Sequence, residues 1–406
     1  MSVEVASETP KPFTGGTTLL GGAAVVGIAG LAGLGTIWGS DQFYYSYLIG
    51  YAFTLTIVMG SLIFLMIVHA MGATWPTAIR RLPEAVVSTM PLLAVGVVPI
   101  WMGTNNYPWM HLKDFAKFQE TLHVLNHKAM YMSENGFRTR AVICVVTWTL
   151  FAEYFRRSSL KLDSQSDPAL KHQLKVVASV GLPVVGLSFT LAAFDWVMSL
   201  SADWASTMFG VYFFAGGFLS SFGLMAINLT LCKRAGFLQS VNDSHVWSIG
   251  RLMFAFTVFW AYISFFQFML IWIANKPAET VWYLLRIQPD YRWVPYTLML
   301  GHFALPFFFL LWYRLKRNLK ALTAIAAWNL AMHFIDIHWM IGPMRHWQDH
   351  IGTIPKAADA FMWTDFAAVA AVAGLAIAVA VFRQRGKFLA PIKDPLYENA
   401  LRYDSR

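Results

Sequence analysis

The segment MHFIDIHWM contains two histidines and an aspartate within six residues of an otherwise apolar stretch. His333 and Asp336 are three residues apart, and on an α-helix this spacing puts both side chains on one face. His338 points away from that face. A carboxylate beside an imidazole favours the protonated ring, and such a pair can hold and pass on a proton. We therefore predict that His333 and Asp336 form part of a proton path.

Six further polar residues lie in or beside apolar stretches and are candidates for the same path: His69, Asp195, Asp203, Gln267, Glu279 and His302. An ionisable side chain near the bilayer centre costs about 3 kcal/mol or more, so each is a candidate functional group. Structural roles remain open for several of them. His69 could be an interfacial imidazole, Asp195 an anchor beside Trp196, and Glu279 a surface partner of Lys276.

The number and positions of the cysteines and histidines limit which metal cofactors the chain could bind. Cys144 and Cys232 are the only cysteines and no CxxC motif occurs, which argues against an iron-sulfur cluster or a structural zinc site. Haem would need two histidines from facing helices at matching depth, and His302 with His333 or His338 could provide them. A haem-binding cytochrome subunit therefore remains an alternative. The chain also lacks a P-loop, a dinucleotide-binding glycine motif and a nucleophile elbow.

The elements that must position these side chains are membrane-spanning helices. Of the 406 residues, 57% are hydrophobic and 13% are charged, whereas soluble proteins carry about 25% charged residues. A hydrocarbon layer ~30 Å thick requires about 20 apolar residues of helix. The sequence predicts an all-α integral membrane protein with about ten such spans, at residues 17–38, 43–71, 84–104, 139–155, 174–198, 206–232, 246–273, 293–313, 320–341 and 361–382.

The orientation follows from the basic residues. Twenty-one of the 31 Lys and Arg residues fall in the two tails and in alternate loops, and ten fall in the remaining loops. The positive-inside rule assigns the first set to the cytoplasm. We predict a cytoplasmic tail at residues 1–16, a membrane domain at 17–382 and a cytoplasmic tail at 383–406. No basic run is interleaved with exposed aromatic residues, so no nucleic-acid partner is expected.

Long segments of the chain resemble a known membrane-protein family. The segments are HAMGATWPTAIRRLPE (69–84), FDWVMSLSADWASTMFGVYFFAGGF (194–218), IGRLMFAFTVFWAYISFFQFMLIWIANKPAETVWYLLR (249–286) and HFALPFFFLL (302–311). They are similar to the NrfD-like, or polysulfide-reductase-anchor, membrane subunits of bacterial alternative complex III, in particular those of the ActF type. The resemblance covers nearly all of the chain from the second span to the tenth.

The resemblance implies a fold of two four-helix bundles plus two additional helices in a multi-pass protein of the bacterial inner membrane. It implies structural support and a proton pathway coupled to quinol oxidation by partner subunits. It implies no covalently bound cofactor in this chain, with quinone or menaquinone possible nearby and haem and iron-sulfur clusters in the partners. Those partners would be a sister NrfD-like membrane subunit, an iron-sulfur subunit, multihaem cytochrome c subunits, lipids and a terminal oxidase.

The polar positions that match the family's membrane-embedded motifs are His69, Asp195, Asp203, Gln267, Glu279, His302 and Asp336. A free-standing secondary transporter remains an alternative, because ten spans with buried acids also suit a transporter. The absence of paired, Gly/Pro-interrupted spans argues against it.

Overall fold

The computed structural model describes residues 11–111, 131–201, 204–288, 291–345 and 361–405, together with the isolated positions 123, 126 and 129. Helices form most of these residues, and the extended pairing within them is an isolated bridge between Pro12 and Phe388. In this part of the chain eight helices are long and apolar enough to cross a membrane. The chain is therefore an all-α, multi-pass membrane protein.

The helices in chain order are α1 (Thr17–Gly35), α2 (Asp41–Met71), α3 (Arg81–Val87), α4 (Met90–Val95), α5 (Val98–Met102), α6 (Glu134–Lys161), α7 (Pro168–Trp196), α8 (Phe209–Arg234), α9 (Asp243–Ala274), α10 (Pro277–Leu284), α11 (Trp293–Thr297), α12 (Leu305–Leu311), α13 (Tyr313–Arg317), α14 (Leu319–Ile341), α15 (Trp363–Gln384) and α16 (Tyr397–Leu401). A π-helical turn, Leu298–Ala304, joins α11 to α12. Each of the ten predicted spans coincides with helical structure. The fourth and ninth lie on α6 and α14, which are not among the eight, so the count of ten remains a prediction.

The third predicted span is divided into α3, α4 and α5. Its breaks follow from proline, which has no backbone N–H and whose ring clashes with the carbonyl four residues earlier. Pro91 follows the end of α3 at Val87 by four residues, and Pro99 follows the end of α4 at Val95 by the same number. Each proline lies in the first turn of the next helix, where its missing N–H is tolerated.

The core of the bundle is formed around α2, which is buried along most of its length. It contacts α3, α7, α8, α14 and α15, while α14 and α9 pack on α8, and α1 packs on α15. Glycines allow α2 and α8 to approach closely. A Cβ atom on Gly60 would lie 2.8 Å from the carbonyl oxygen of Gly217, and one on Gly217 would lie 2.5 Å from that of Thr56. This contact holds Thr56 against α8.

The bundle has two ends, which we name by their residues. The basic end comprises residues 72–80, 162–167, 235–242, 312–318 and 385–405, and the opposite end comprises 103–111, 197–201, 275–288 and 342–345. The described parts of both tails, residues 11–16 and 383–405, lie at the basic end, where the Phe13 N–H donates to the Lys387 carbonyl at 2.9 Å. At the opposite end the Tyr107 hydroxyl donates to the Trp196 carbonyl at 3.0 Å.

Candidate proton-relay site

Asp336 is fully buried on α14, at the point where α14 meets α8 and α9. Its Oδ1 accepts a hydrogen bond from the hydroxyl of Tyr212 on α8, and its Oδ2 accepts one from the indole nitrogen of Trp260 on α9 at 3.0 Å. Both donors are neutral. Among the described residues no Lys or Arg forms an ion pair with this carboxylate. Asp336 is therefore held by hydrogen bonds without a fixed counter-ion.

His333 lies beside Asp336 on the same face of α14, as their spacing predicts. Its Nε2 is 2.8 Å from the hydroxyl of Thr56 on α2, and its Nδ1 is 4.0 Å from Oδ2 of Asp336. Gly216 on α8 leaves room for both side chains. A Cβ atom there would lie 2.9 Å from His333 Nδ1 and 3.1 Å from Asp336 Oδ2. The imidazole and the carboxylate are thus close neighbours without a direct hydrogen bond.

His302 lies in the π-helical turn that precedes Pro306. Because Pro306 cannot donate to the His302 carbonyl, the regular α-helical ladder is interrupted here, and the turn widens. The imidazole is fully buried and stacks on Trp260, with ring centroids 4.1 Å apart. Within the described chain neither of its ring nitrogens has a hydrogen-bond partner. Trp260 therefore contacts both His302 and Asp336.

Further unpaired polar groups extend the site toward the basic end. Asn329 lies one turn from His333 on α14 and is fully buried, and neither of its amide atoms has a partner among the described residues. The same holds for the hydroxyl of Ser220 on α8. Buried polar groups are normally paired with protein atoms or with water. Water bound to these groups would continue the polar line from Asp336 to Asn329 over about 10 Å of helix.

A second polar line leads from Asp336 toward the opposite end. Ser264 on α9 lies close to the hydroxyl of Tyr212. Gln267 lies about one turn further along α9, is buried, and its Oε1 accepts from the hydroxyl of Ser206 at 3.3 Å. The predicted site residue Gln267 is thus positioned between the Asp336 cluster and this end of the bundle.

His338 belongs to a different cluster. It lies 3.4 Å, through Nε2, from Oδ2 of Asp365 in the first turn of α15. Asp365 also forms an ion pair with Arg345 and accepts from Ser46 at 2.8 Å. In contrast to Asp336, this buried carboxylate has a guanidinium partner. On α14, Asp336 therefore faces α8 and α9, whereas His338 faces α15.

Asp195 is paired with Arg140 near the opposite end. The guanidinium contacts both carboxylate oxygens, at 2.7 and 3.2 Å, and lies 3.8 Å above the ring of Tyr131. Glu279 is partly exposed, with Lys276 Nζ 3.6 Å from Oε1, as expected for the surface pair. Neither acid joins the Asp336 cluster, and their role in proton transfer remains a prediction.

His69 lies near the basic end, where its ring stacks on Phe155 with centroids 5.4 Å apart. It borders a cavity there and is remote from Asp336 in the fold. Asp203 lies outside the described residues. Of the eight predicted site residues, the structure brings together His302, His333 and Asp336, connects Gln267 to them, and leaves His69, Asp195 and Glu279 apart.

The sequence-based prediction does not include Thr56, Tyr212, Trp260 and Asn329 of this site, or Asp365 of the separate His338 cluster. Tyr212 and Trp260 lie in strongly apolar segments, where an aromatic side chain is most simply interpreted as packing. Asp365 resembles an ordinary acid in the first turn of a helix. Asn329 could have been found, because it precedes His333 by four residues and shares its helical face.

The surroundings of His333 do not fit haem ligation. One ring nitrogen is hydrogen-bonded to Thr56, and the other faces Gly216 and Asp336 at close range. A haem iron at Nε2 would have to displace Thr56, and one at Nδ1 would have to displace the neighbouring Gly216 and Asp336. The described residues also contain no group of three or more His, Cys, Asp or Glu side chains that could hold a metal ion.

An apolar cavity of about 560 Å³ lies between α1, α2, α3, α8 and α15. It extends from Arg81 and Gln384 at the basic end to Phe53 and Thr54 on α2. The ring of Phe53 is 5.6 Å from that of His333. The cavity has the size and the apolar lining of a site for a drug-sized or lipid-like molecule.

No protein-family model matches the sequence, and no curated protein matches it either.

Proposed function

We propose that this chain is the proton-conducting membrane subunit of a quinol-oxidising electron-transfer complex of the alternative complex III type. The observation that carries the proton role is the environment of Asp336, which is fully buried and hydrogen-bonded by the neutral donors Tyr212 and Trp260. Such a carboxylate can gain or lose a proton without breaking a salt bridge. Protonation of Asp195 or Asp365, in contrast, would break an ion pair and leave an arginine without its carboxylate partner.

The proposed path runs between the two ends of the bundle. From the basic end a proton passes through water at Asn329 to His333. It reaches Asp336 when the 4.0 Å gap between His333 Nδ1 and Asp336 Oδ2 closes to hydrogen-bond distance. It continues through the hydroxyls of Tyr212 and Ser264 to Gln267 and the opposite end. An imidazole or a carboxylate can accept a proton at one atom and release one from its second nitrogen or oxygen, whereas a hydroxyl accepts a proton at a lone pair of its oxygen as it releases its own. With the basic end in the cytoplasm, this path connects the cytoplasm with the periplasm.

The assignment to a respiratory complex rests on the sequence resemblance and on the grouping of the helices. In this interpretation α2, α3–α5, α6 and α7 form one four-helix bundle, and α8, α9, α11–α12 and α14 form the second. Helices α1 and α15 are the additional pair. This is the grouping expected for an NrfD-like subunit of the bacterial inner membrane, beside its sister subunit, an iron-sulfur subunit and multihaem cytochromes.

The proton role is tested by Asp336→Asn in the native complex reconstituted in liposomes that contain a pH-sensitive dye. Quinol-driven proton translocation should fall about tenfold or more, because the amide cannot carry the proton. Glu134→Gln is the control, since it makes the same chemical change in the exposed Glu134–Arg138 pair, which is not part of the predicted path. An unchanged proton-to-electron ratio in Asp336→Asn would refute the path without bearing on membership in the complex.

Membership is tested separately by extracting the protein from its membrane in mild detergent. We expect it to purify with haem-containing and iron-sulfur subunits, which are detected by absorption and electron paramagnetic resonance spectroscopy. A protein that purifies alone and mediates substrate-dependent flux in liposomes would instead establish the transporter alternative.

A second role, binding a quinone within this subunit, is favoured by the apolar cavity that reaches Phe53 beside His333. A photoreactive quinone analogue should label residues of this cavity in the native complex. Ala376→Trp, which introduces a bulky ring into the cavity, should prevent the labelling. Labelling confined to partner subunits would exclude this role.

A further inference from the structure

A second cavity, of about 210 Å³, lies at the basic end between the end of α2 and the beginning of α7. Five of its lining side chains are basic or contain imidazole: His69, Arg80, Lys171, His172 and Lys175. None of the described residues that line it is acidic. This composition favours an anionic ligand.

Two of these lining cations, Arg80 and Lys171, and the neighbouring Arg81 are paired with carboxylates. Arg80 contacts Glu84 at 3.0 Å and Asp394 at 2.9 Å, and Lys171 contacts Asp394 at 2.8 Å. Arg81 is offset by Glu84 and by Asp163. Three cations are thus compensated by three carboxylates.

Lys175 adds a positive charge to this balanced network. It lies one turn beyond Lys171 on α7 and is exposed. It forms no ion pair with any described residue. The wall of the cavity therefore carries an uncompensated positive charge.

His69 supplies a second and independent indication. Its side chain is 6% exposed and borders the cavity, and its Nε2 has no hydrogen-bond partner among the described residues. In the tautomer with the proton on Nε2, this nitrogen is a donor available to a ligand. A buried polar group of this kind is normally paired.

We propose that this cavity binds a phosphate group, donated either by the headgroup of an anionic phospholipid or by free phosphate. Phosphate oxygens would accept hydrogen bonds from His69 and His172 and pair with the ammonium group of Lys175. Basic pockets between membrane helices at the cytoplasmic surface are suited to such headgroups. The apolar side chains of Val68 and Leu396 complete the wall.

The test measures the thermal stability of the purified, detergent-solubilised native complex. It is titrated with phosphatidylglycerol, with phosphatidylcholine of the same acyl chains, or with inorganic phosphate at constant ionic strength. We expect a saturable rise in the unfolding temperature with phosphatidylglycerol or with inorganic phosphate. Native mass spectrometry should detect the corresponding bound species.

Two variants and one control connect this response to the cavity. Lys175→Gln and His69→Phe should each weaken the apparent affinity about tenfold, as expected for loss of one charge-assisted contact. Phenylalanine preserves the stacking on Phe155, and Lys175 is exposed, so its replacement does not disturb the core. Lys161→Gln removes an exposed charge near the same end, outside the cavity, and should leave the affinity unchanged.

The outcomes are distinct. A response to phosphatidylglycerol alone identifies a lipid headgroup, and a response to inorganic phosphate that competes with the lipid identifies free phosphate. The absence of any saturable response would overturn the proposal, as would an equal loss of affinity in Lys161→Gln. None of these results depends on the effect of Asp336→Asn on proton translocation.

Discussion

The indole nitrogen of Trp260 lies 3.0 Å from Oδ2 of Asp336, while the face of the same indole stacks on His302. One rigid side chain therefore contacts two buried ionisable groups on different helices. A change of charge on Asp336 alters the hydrogen bond that orients the ring against which His302 packs. This relationship couples the acid to the imidazole without a direct contact between them.

Trp260→Phe should retain most of the stacking on His302 but remove the hydrogen bond to Asp336. We expect a loss of about 1–2 kcal/mol in unfolding free energy and slower proton translocation. Trp204→Phe is a matched control, because Trp204 is also buried and its indole nitrogen has no partner among the described residues. Thermal unfolding in detergent compares the two. Equal destabilisation would show that the hydrogen bond contributes nothing measurable.

Gly216→Ala should disturb the site from the side of α8. The added methyl group would lie 2.9 Å from His333 Nδ1, so that imidazole must move away from Asp336. We expect reduced proton translocation in a complex that still assembles. Gly223→Ala, on the same helix, is the control because its nearest neighbouring atom would be 3.4 Å away. Normal translocation in Gly216→Ala would contradict the proposed position of the relay.

Asp195 and Arg140 should be coupled energetically. Asp195→Asn leaves a guanidinium without its carboxylate and should cost about 1–3 kcal/mol, whereas the double variant with Arg140→Gln should lose less than the sum of the single changes. The exposed pair Lys276–Glu279 should give a coupling energy below about 0.5 kcal/mol. If Asp195→Asn also leaves the proton-to-electron ratio unchanged, the predicted role of Asp195 in the proton path is wrong.

Arg286→Lys should destabilise the opposite end of the bundle. The buried guanidinium donates to the carbonyls of Trp282, Trp339 and Met340 at 2.7–2.9 Å, and it lies 3.5 Å above the ring of Trp282. Lysine cannot reproduce this planar set of donors, so we expect a loss of about 2–3 kcal/mol. Arg292→Lys, at an exposed position, should have little effect. Thermal unfolding of both variants provides the measurement.

Asp394→Asn should have a pH-dependent effect. Burial raises the pKa of the Asp394 carboxyl, but Arg80 and Lys171 outweigh burial and hold this pKa below its usual value. The stabilisation is therefore present above about pH 4, the ordinary pKa of aspartate, and is lost as pH falls through the lower folded-state value. The variant should be less stable than the wild type at pH 7, and this difference should shrink below about pH 4. A constant difference over the whole pH range would contradict this explanation.

The sequence predicts the spans and the face shared by His333 and Asp336 because both depend on local periodicity. Hydrophobic length determines the helices, and a spacing of three residues determines the shared face. The division of the third span was also available from the sequence, since Pro91 and Pro99 interrupt the helical ladder. A count of apolar residues alone does not register these prolines.

The partners of the buried acids could not be predicted in this way. Asp336 accepts from residues that are 124 and 76 positions away, and the sequence does not specify which helices pack together. Tyr212 and Trp260 are largely apolar, so a hydropathy profile does not reveal that the Tyr212 hydroxyl and the Trp260 indole N–H can donate hydrogen bonds. The ion pair of Asp195 with Arg140 could not be predicted either, because the two residues are 55 positions apart in the sequence.

The residues after α15 are tied to several helix ends. The N–H of Lys393 donates to the Leu162 carbonyl at 3.2 Å, and Asn242 donates to the Tyr403 carbonyl at 2.8 Å. Asp394 lies between Arg80 and Lys171. Cleavage of the chain before Asp394 would thus leave Lys171 without this carboxylate and Arg80 with Glu84 alone. The tail serves as an intramolecular counter-ion that closes the basic end of the bundle.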